Sequence, residues 1–135
     1  MHATFVNRIH TDKAPAAIGP YSQAIEVNGV FYLSGQIAIE PISGKILAKD
    51  IEGQAEQCCK NIESILNSCY MGMKTVVKTT CYLTDMDHFK KFNAVYEKYF
   101  VSRPARSCVI VKDLPAGALC EIEAIAVKEK KQLTK

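Results

Sequence analysis

Tryptophan is absent from this chain, and histidine occurs only three times in its 135 residues. No apolar run approaches the roughly 18 consecutive residues that a membrane-crossing helix needs. His2, His10 and His88 stand far apart, and none lies at metal-ligand spacing from a cysteine. The six cysteines, Cys58, Cys59, Cys69, Cys81, Cys108 and Cys120, form no C-x-x-C pair. Neither a zinc site nor a redox dithiol is therefore expected, and each thiol reads as a small buried hydrophobe in a reducing compartment. Charge of one sign is also scarce. A net charge of +3 gives no electrostatic case for nucleic acid. Internal repeats, linkers and low-complexity stretches are missing too, so residues 1–135 read as one domain. No charged-then-apolar leader pattern opens the chain, and cytoplasm is the expected location. Mitochondrial targeting is the lesser alternative. It rests on Arg8 and on the lack of an acid before Asp12, in a segment that also reads as a strand.

What is present is an ordinary globular composition, 48% hydrophobic and 23% charged. Strands are expected over Ala3–Ile9, Ser22–Val27 and Val30–Ser34, with Asn28-Gly29 as a two-residue hairpin turn. Pro41 to Gly44 marks another turn. Asp50 is an N-cap for a helix to about Tyr70, with Gly72 as its stop. In that helix Ile51, Ala55, Cys58, Ile62, Ile65, Leu66 and Cys69 follow helical spacing. Thr75–Leu83 is β-branched and strand-like. Thr84 or Asp85 caps a second helix with Phe89, Phe92, Tyr96 and Phe100 on one face. Pro104 ends it, and strands over Ala105–Val111 and Leu119–Val127 follow. Residues 128–135 form a polar, basic tail.

The order β-β-β-α-β-α-β-β defines an α+β fold: a single mixed sheet of about six strands with two helices on one face. Two helices leave the other face of such a sheet uncovered. In the last strand Cys120, Ile122, Ala124 and Ala126 suit the helices. Leu119, Ile125 and Val127 share the opposite side with Glu121 and Glu123. A half-apolar face carrying carboxylates fits contact with another subunit.

The strand after Pro104 carries the main chemical signal. Alternation puts Arg106, Cys108 and Ile110 on one face, and Ser107, Val109 and Val111 on the other. A guanidinium stays charged, so in a mostly apolar strand it needs an anion. That anion is either a protein carboxylate, with Glu121 or Glu123 across the hairpin as candidates, or a ligand.

Three blocks resemble one family. They are Ala14 to Ala24 with Leu33-Ser34-Gly35-Gln36-Ile37, then Val77 to Thr80 with Phe92 to Glu97, then Pro104 to Val109 with Leu114-Pro115 and Glu121-Ile122-Glu123. Their order and spacing resemble the reactive intermediate deaminase (RidA) family, also called the endoribonuclease L-PSP family, over about residues 14–127. Cys120 departs from the aliphatic residue usual there. The resemblance implies a chorismate-mutase-like homotrimer with clefts between subunits, and no metal or organic cofactor. It implies hydrolytic deamination of reactive 2-imino acids or enamines, such as 2-iminobutanoate and 2-iminopropanoate, to 2-oxo acids and ammonia. An endoribonuclease or translation inhibitor is the alternative, as is a non-catalytic, chaperone-like trimer that binds small carboxylates.

On that resemblance Arg106 clamps the carboxylate of a small 2-imino or 2-oxo acid. Glu121 orients or activates the attacking water. Tyr21 lids the ligand, Ser34 donates a hydrogen bond to it or forms a turn, and Asn93 stands at the subunit cleft. Cys108 contributes a backbone hydrogen bond, its thiol incidental, since no base or cation adjacent in sequence beyond Arg106 activates it. Glu123 reads as a structural ion-pair partner.

Overall fold

Hydrophobic alternation along each strand and a 3.6-residue stripe along each helix produce a two-layer molecule, described here from a computed structural model over residues 5–129. Six strands, β1 (Asn7–Ile9), β2 (Ala24–Val27), β3 (Val30–Gln36), β6 (Val76–Leu83), β7 (Ala105–Ile110) and β8 (Cys120–Val127), form one sheet. Its order is β1-β2-β3-β8-β6-β7. All pairings are antiparallel except β6 with β7. A two-stranded ribbon, β4 (Ile39–Glu40) and β5 (Lys45–Ile46), flanks the Pro41–Gly44 turn.

Asn28 (φ 52°) and Gly29 (φ 82°) both adopt the left-handed conformation that a two-residue β-turn of this hand requires. Asp50 accepts from the Gly53 amide at 3.0 Å and opens α1 (Ile51–Ser68). Asp85 caps a short 3₁₀ turn that leads into α2 (Phe89–Tyr99). The helices pack against one another, and α1 lies across β8 and β3. Phe92, Phe100, Ile62, Ile65 and Leu66 interleave there with Phe31, Leu33, Cys81, Leu83 and Ile122. The alternation of β8 is as expected: Cys120, Ile122, Ala124 and Ala126 are buried, while Glu121, Glu123 and Ile125 are only partly so.

Several boundaries differ from the sequence reading. The first strand is confined to Asn7–Ile9; Phe5 and Val6 are exposed, and residues 3 and 4 lie outside the described residues. The second starts at Ala24; the Gln23 side chain instead binds the backbone of Thr11 and Pro15 in the preceding loop. The polar tail beyond Glu129 also lies outside the described residues. Helix α1 does not use Gly72 as its stop. Tyr70 takes the left-handed position (φ 60°), and the Met71 amide reaches back to the Leu66 carbonyl at 2.9 Å.

A β-carbon in that conformation is strained, and the Tyr70 ring is 95% exposed, so it returns little packing. Tyr70→Gly is therefore expected to raise stability by about 0.5–1 kcal/mol, checked by the urea midpoint at constant m-value.

Candidate functional site

Pro104 and Arg103 end the chain segment after α2 and feed β7 into the sheet edge beside β6. In the parallel register Arg106 opposes Thr79, and Cys108 opposes Cys81. Thr79 and Cys81 are fully buried beneath the helices, so Arg106 also points to the helix side. Its guanidinium lies 4.8 Å from the centre of the Tyr96 ring and 5.8 Å from that of Phe89. Nη1 donates to Asn93 Oδ1 at 2.7 Å. The Tyr96 hydroxyl is in turn 2.6 Å from Thr79 Oγ1. An asparagine in mid-helix, a poor helix former, thus has a tertiary use.

Among the described residues Arg106 makes no ion pair. The expected alternative of a carboxylate partner across a β7–β8 hairpin fails for two reasons. Strand β6 lies between β7 and β8. Glu121 and Glu123 oppose Tyr82 and Thr80, on the face away from the helices. The remaining guanidinium donors border a cleft of about 600 Å³ lined by Asn93, Tyr96, Glu97, Phe100 and Arg103.

Cys108 is half-buried on the same face as Arg106. Burial pushes its thiol pKa up, with the Arg106 charge opposing, so the thiol is the dominant form at neutral pH. Ile110, expected on that face as well, is 46% exposed.

A second group assembles on the other face. Gln23, 2% exposed, fastens the preceding loop: its Oε1 accepts from the Thr11 amide at 2.7 Å, and its Nε2 donates to the Pro15 carbonyl at 2.8 Å. That anchors the turn in which the Tyr21 amide donates to the Gly19 carbonyl, and the Tyr21 ring folds back over Gly19. Tyr21 divides two depressions. One, of about 700 Å³, contains Arg8 and Ser34. The other, of about 410 Å³, is mainly apolar, with Ile18, Ile37, Ile39 and Pro115 around the Glu121 side chain. Ser34 Oγ donates to the Ser22 carbonyl at 2.5 Å. Its single hydrogen is committed, so toward a ligand it offers lone pairs and not the donor expected of it.

The Glu121 carboxyl is pushed above the usual range, first by burial and then by the Glu123 charge. Among the described residues Glu123 is not in an ion pair; it accepts from the Tyr82 hydroxyl at 2.7 Å. That bond is the first cause holding the Tyr82 pKa at about 12.

The six residues singled out in the sequence thus fall into two sets. Arg106, Asn93 and Cys108 share the helix side, while Tyr21, Ser34 and Glu121 share the open side. Sequence reasoning missed the Tyr96 and Phe89 rings at Arg106, since their i, i+7 spacing reads equally as core. It also missed Arg8, which had no motif around it. Among the described residues, no cluster of His, Cys, Asp and Glu could hold a metal ion, and no helix is long and apolar enough to cross a membrane.

The fold, a six-stranded sheet with two helices, is shared with solved proteins. The sequence pattern of the endoribonuclease L-PSP family matches residues 11–128, and the chain belongs to that family, also called RidA. It is 46% identical over 121 residues to the mouse 2-iminobutanoate/2-iminopropanoate deaminase, covering 89% of this chain and 90% of the relative. It is 46% identical to a RutC family protein of Aquifex aeolicus, over 91% of this chain and all of the other. The fold superposes on E. coli TdcF with bound serine at a TM-score of 0.87 and 36% identity, over 91% and 99% of the two chains.

Raised pKa makes a stability prediction. A carboxyl whose folded pKa exceeds its unfolded one stabilises the fold fully below the unfolded pKa and loses that contribution as pH rises through the folded pKa. Ionised Glu121 is thus a liability at neutral pH. Glu121→Gln is expected to raise Tm at pH 7–8, with the advantage closing as pH falls below about 4. Melting curves across that range check it.

Proposed function

We propose that this protein hydrolyses 2-imino acids, such as 2-iminobutanoate and 2-iminopropanoate, to 2-oxo acids and ammonia, without a cofactor. The observation that carries this reading is Arg106, which is oriented by Asn93 and Tyr96 and unpaired with any carboxylate among the described residues. A planar fork takes a ligand carboxylate through two parallel charged hydrogen bonds, and this fixes where the C=N carbon lies. Named activity in the mouse relative, and serine bound to TdcF, favour a small amino-acid-like ligand.

In this reading Glu121, ionised, takes a proton from water as its oxygen adds to the iminium carbon. It returns the proton to the nitrogen of the carbinolamine, takes the hydroxyl proton as the C–N bond breaks and C=O forms, and passes that proton to the departing ammonia. Iminium plus water becomes oxo acid plus ammonium. A carboxyl with an elevated pKa suits both transfers near neutral pH. Tyr21 covers the ligand, Cys108 binds it through the backbone, and Ser34 accepts from the imine N–H. The clamp itself binds ground and transition states alike and contributes positioning.

Because Arg106 and Glu121 lie on opposite faces of one sheet, the reading needs a second copy of the chain. A homotrimer in which Arg106 of one subunit meets Tyr21 and Glu121 of the next satisfies it. The open face, with Tyr32 49% and Val109 42% exposed, is the surface for such assembly.

The direct test traps imines made by a threonine dehydratase with semicarbazide, with and without this protein. Arg106→Ala is expected to lose hydrolysis about a hundredfold or more while its melting temperature holds, since no buried carboxylate is stranded. Arg106→Lys should rescue poorly, because a point charge lacks the bidentate fork. A badly destabilised Arg106→Ala would sink the clamp. Parallel loss of a robust RNase activity in that variant would favour the endoribonuclease reading instead.

Composite sites also predict complementation. Arg106→Ala and Glu121→Gln chains, each inactive alone, should recover about a quarter of wild-type activity when unfolded and refolded together, the statistical yield of intact sites between copies. Light scattering that gave a 15 kDa particle would exclude the trimer.

A further inference from the structure

The Glu121 side chain lies against the one residue type that has no side chain. A Cβ built at Gly35 overlaps Glu121 Oε2, and would stand 2.8 Å from Cδ and 3.2 Å from Cγ. Backbone conformation does not demand glycine here, because Gly35 is not among the positive-φ positions. Space does. The β3–β8 ladder supplies the reason: Leu33 pairs with Ala124 and Gln36 with Ile122, so β3 carries one extra residue across this interval. The bulge re-aims the Ser34-Gly35 segment and brings its backbone against the Glu121 side chain.

We propose that Gly35 is the positioning residue for Glu121: its missing Cβ, presented by the β3 bulge, is the seat that holds the carboxyl inside the apolar groove beside Tyr21 and Ile37. Any side chain at position 35 fills that seat. The carboxyl is the free end of a flexible chain, so it swings toward solvent while the sheet stays in place. It then loses both the reach and the partial burial that raises its pKa. Glycine at this position is thus a requirement of the carboxyl's placement, separable from fold stability. This inference rests on the reading of Glu121 as the proton-transfer group, but the placement itself can be tested without activity.

The first measurement is an NMR titration of ¹³C-labelled glutamate carboxyls, with Glu121 assigned by comparison with Glu121→Gln. In Gly35→Ala the Glu121 carboxyl leaves its seat against the β3 backbone, and its titration should shift away from the wild-type midpoint. Turnover of 2-iminobutanoate should fall about 10- to 100-fold, the cost of a misplaced reacting group. KM should change by less than about threefold, because the Arg106 clamp is untouched. The acidic limb of the pH–rate profile should move with the titration.

A compensating variant separates seat from structure. Glu121→Asp withdraws the carboxyl by one methylene and makes room for an alanine methyl. Gly35→Ala/Glu121→Asp should therefore lose less activity than the product of the two single losses. An unchanged Glu121 titration in Gly35→Ala overturns the proposal, and so does a double variant whose losses multiply. An inactive wild-type protein with a shifted titration in Gly35→Ala sinks the deaminase reading and leaves the seat standing.

Discussion

Two helices can dry only one face of a six-stranded sheet, and that constraint decides what every strand residue becomes. Parity along β8 sends Cys120, Ile122, Ala124 and Ala126 under the helices and Glu121 and Glu123 to the open side. Parity along β7 sends Arg106 and Cys108 under α2. The charged groups of interest are consequently kept apart by the thickness of the sheet. Had the residues of β7 been shifted by one, Arg106 would turn to the open face and lose its Asn93 and Tyr96 partners.

Instead the Arg106 guanidinium is held by uncharged groups. Asn93 accepts one of its hydrogens, and the Tyr96 ring presents a π-face that attracts cations without neutralising them. A carboxylate in that place would satisfy the guanidinium and close it to ligands. Neutral partners fix its orientation and leave charge available for an incoming anion, and this is pre-organisation in its simplest form. Thr79 extends the arrangement into the core by fixing the Tyr96 hydroxyl. An α2 surface that reads as a plain aromatic stripe is therefore half core and half support for the Arg106 guanidinium.

Local signals were legible in the sequence. Asn28-Gly29, the Asp50 cap, both amphipathic helices and the alternation of β8 each depend on neighbours within a few residues. The pairing of β6 with β7 was not legible, because parallel neighbours are joined through a helix and no short-range pattern reports which edge the chain rejoins. Assuming that β7 and β8 form a hairpin made a false partner for Arg106. The bulge at Ser34-Gly35 was missed for a related reason. It exists only in the register between β3 and β8, and a Ser-Gly pair by itself reads as a turn. Tyr70 shows the opposite case, where glycine chemistry predicted a stop at Gly72 and a tyrosine bears the left-handed conformation. The site residues other than Arg106 were nominated by family motifs, and geometry then changed what Ser34 can offer.

The two carboxylates of β8 show how one strand can give two like groups different surroundings. They are two residues apart on the same face, and the Glu123 charge adds to the cost of ionising Glu121. Tyr82 resolves the competition by donating to Glu123, and with its own pKa at about 12 it keeps that proton throughout the physiological range. Glu121 has no such donor among the described hydrogen bonds and lies in a mainly apolar groove. Within one chain, burial and repulsion therefore act on it uncompensated, and its affinity for a proton rises. Unequal environments thus divide the roles of two neighbouring carboxyls.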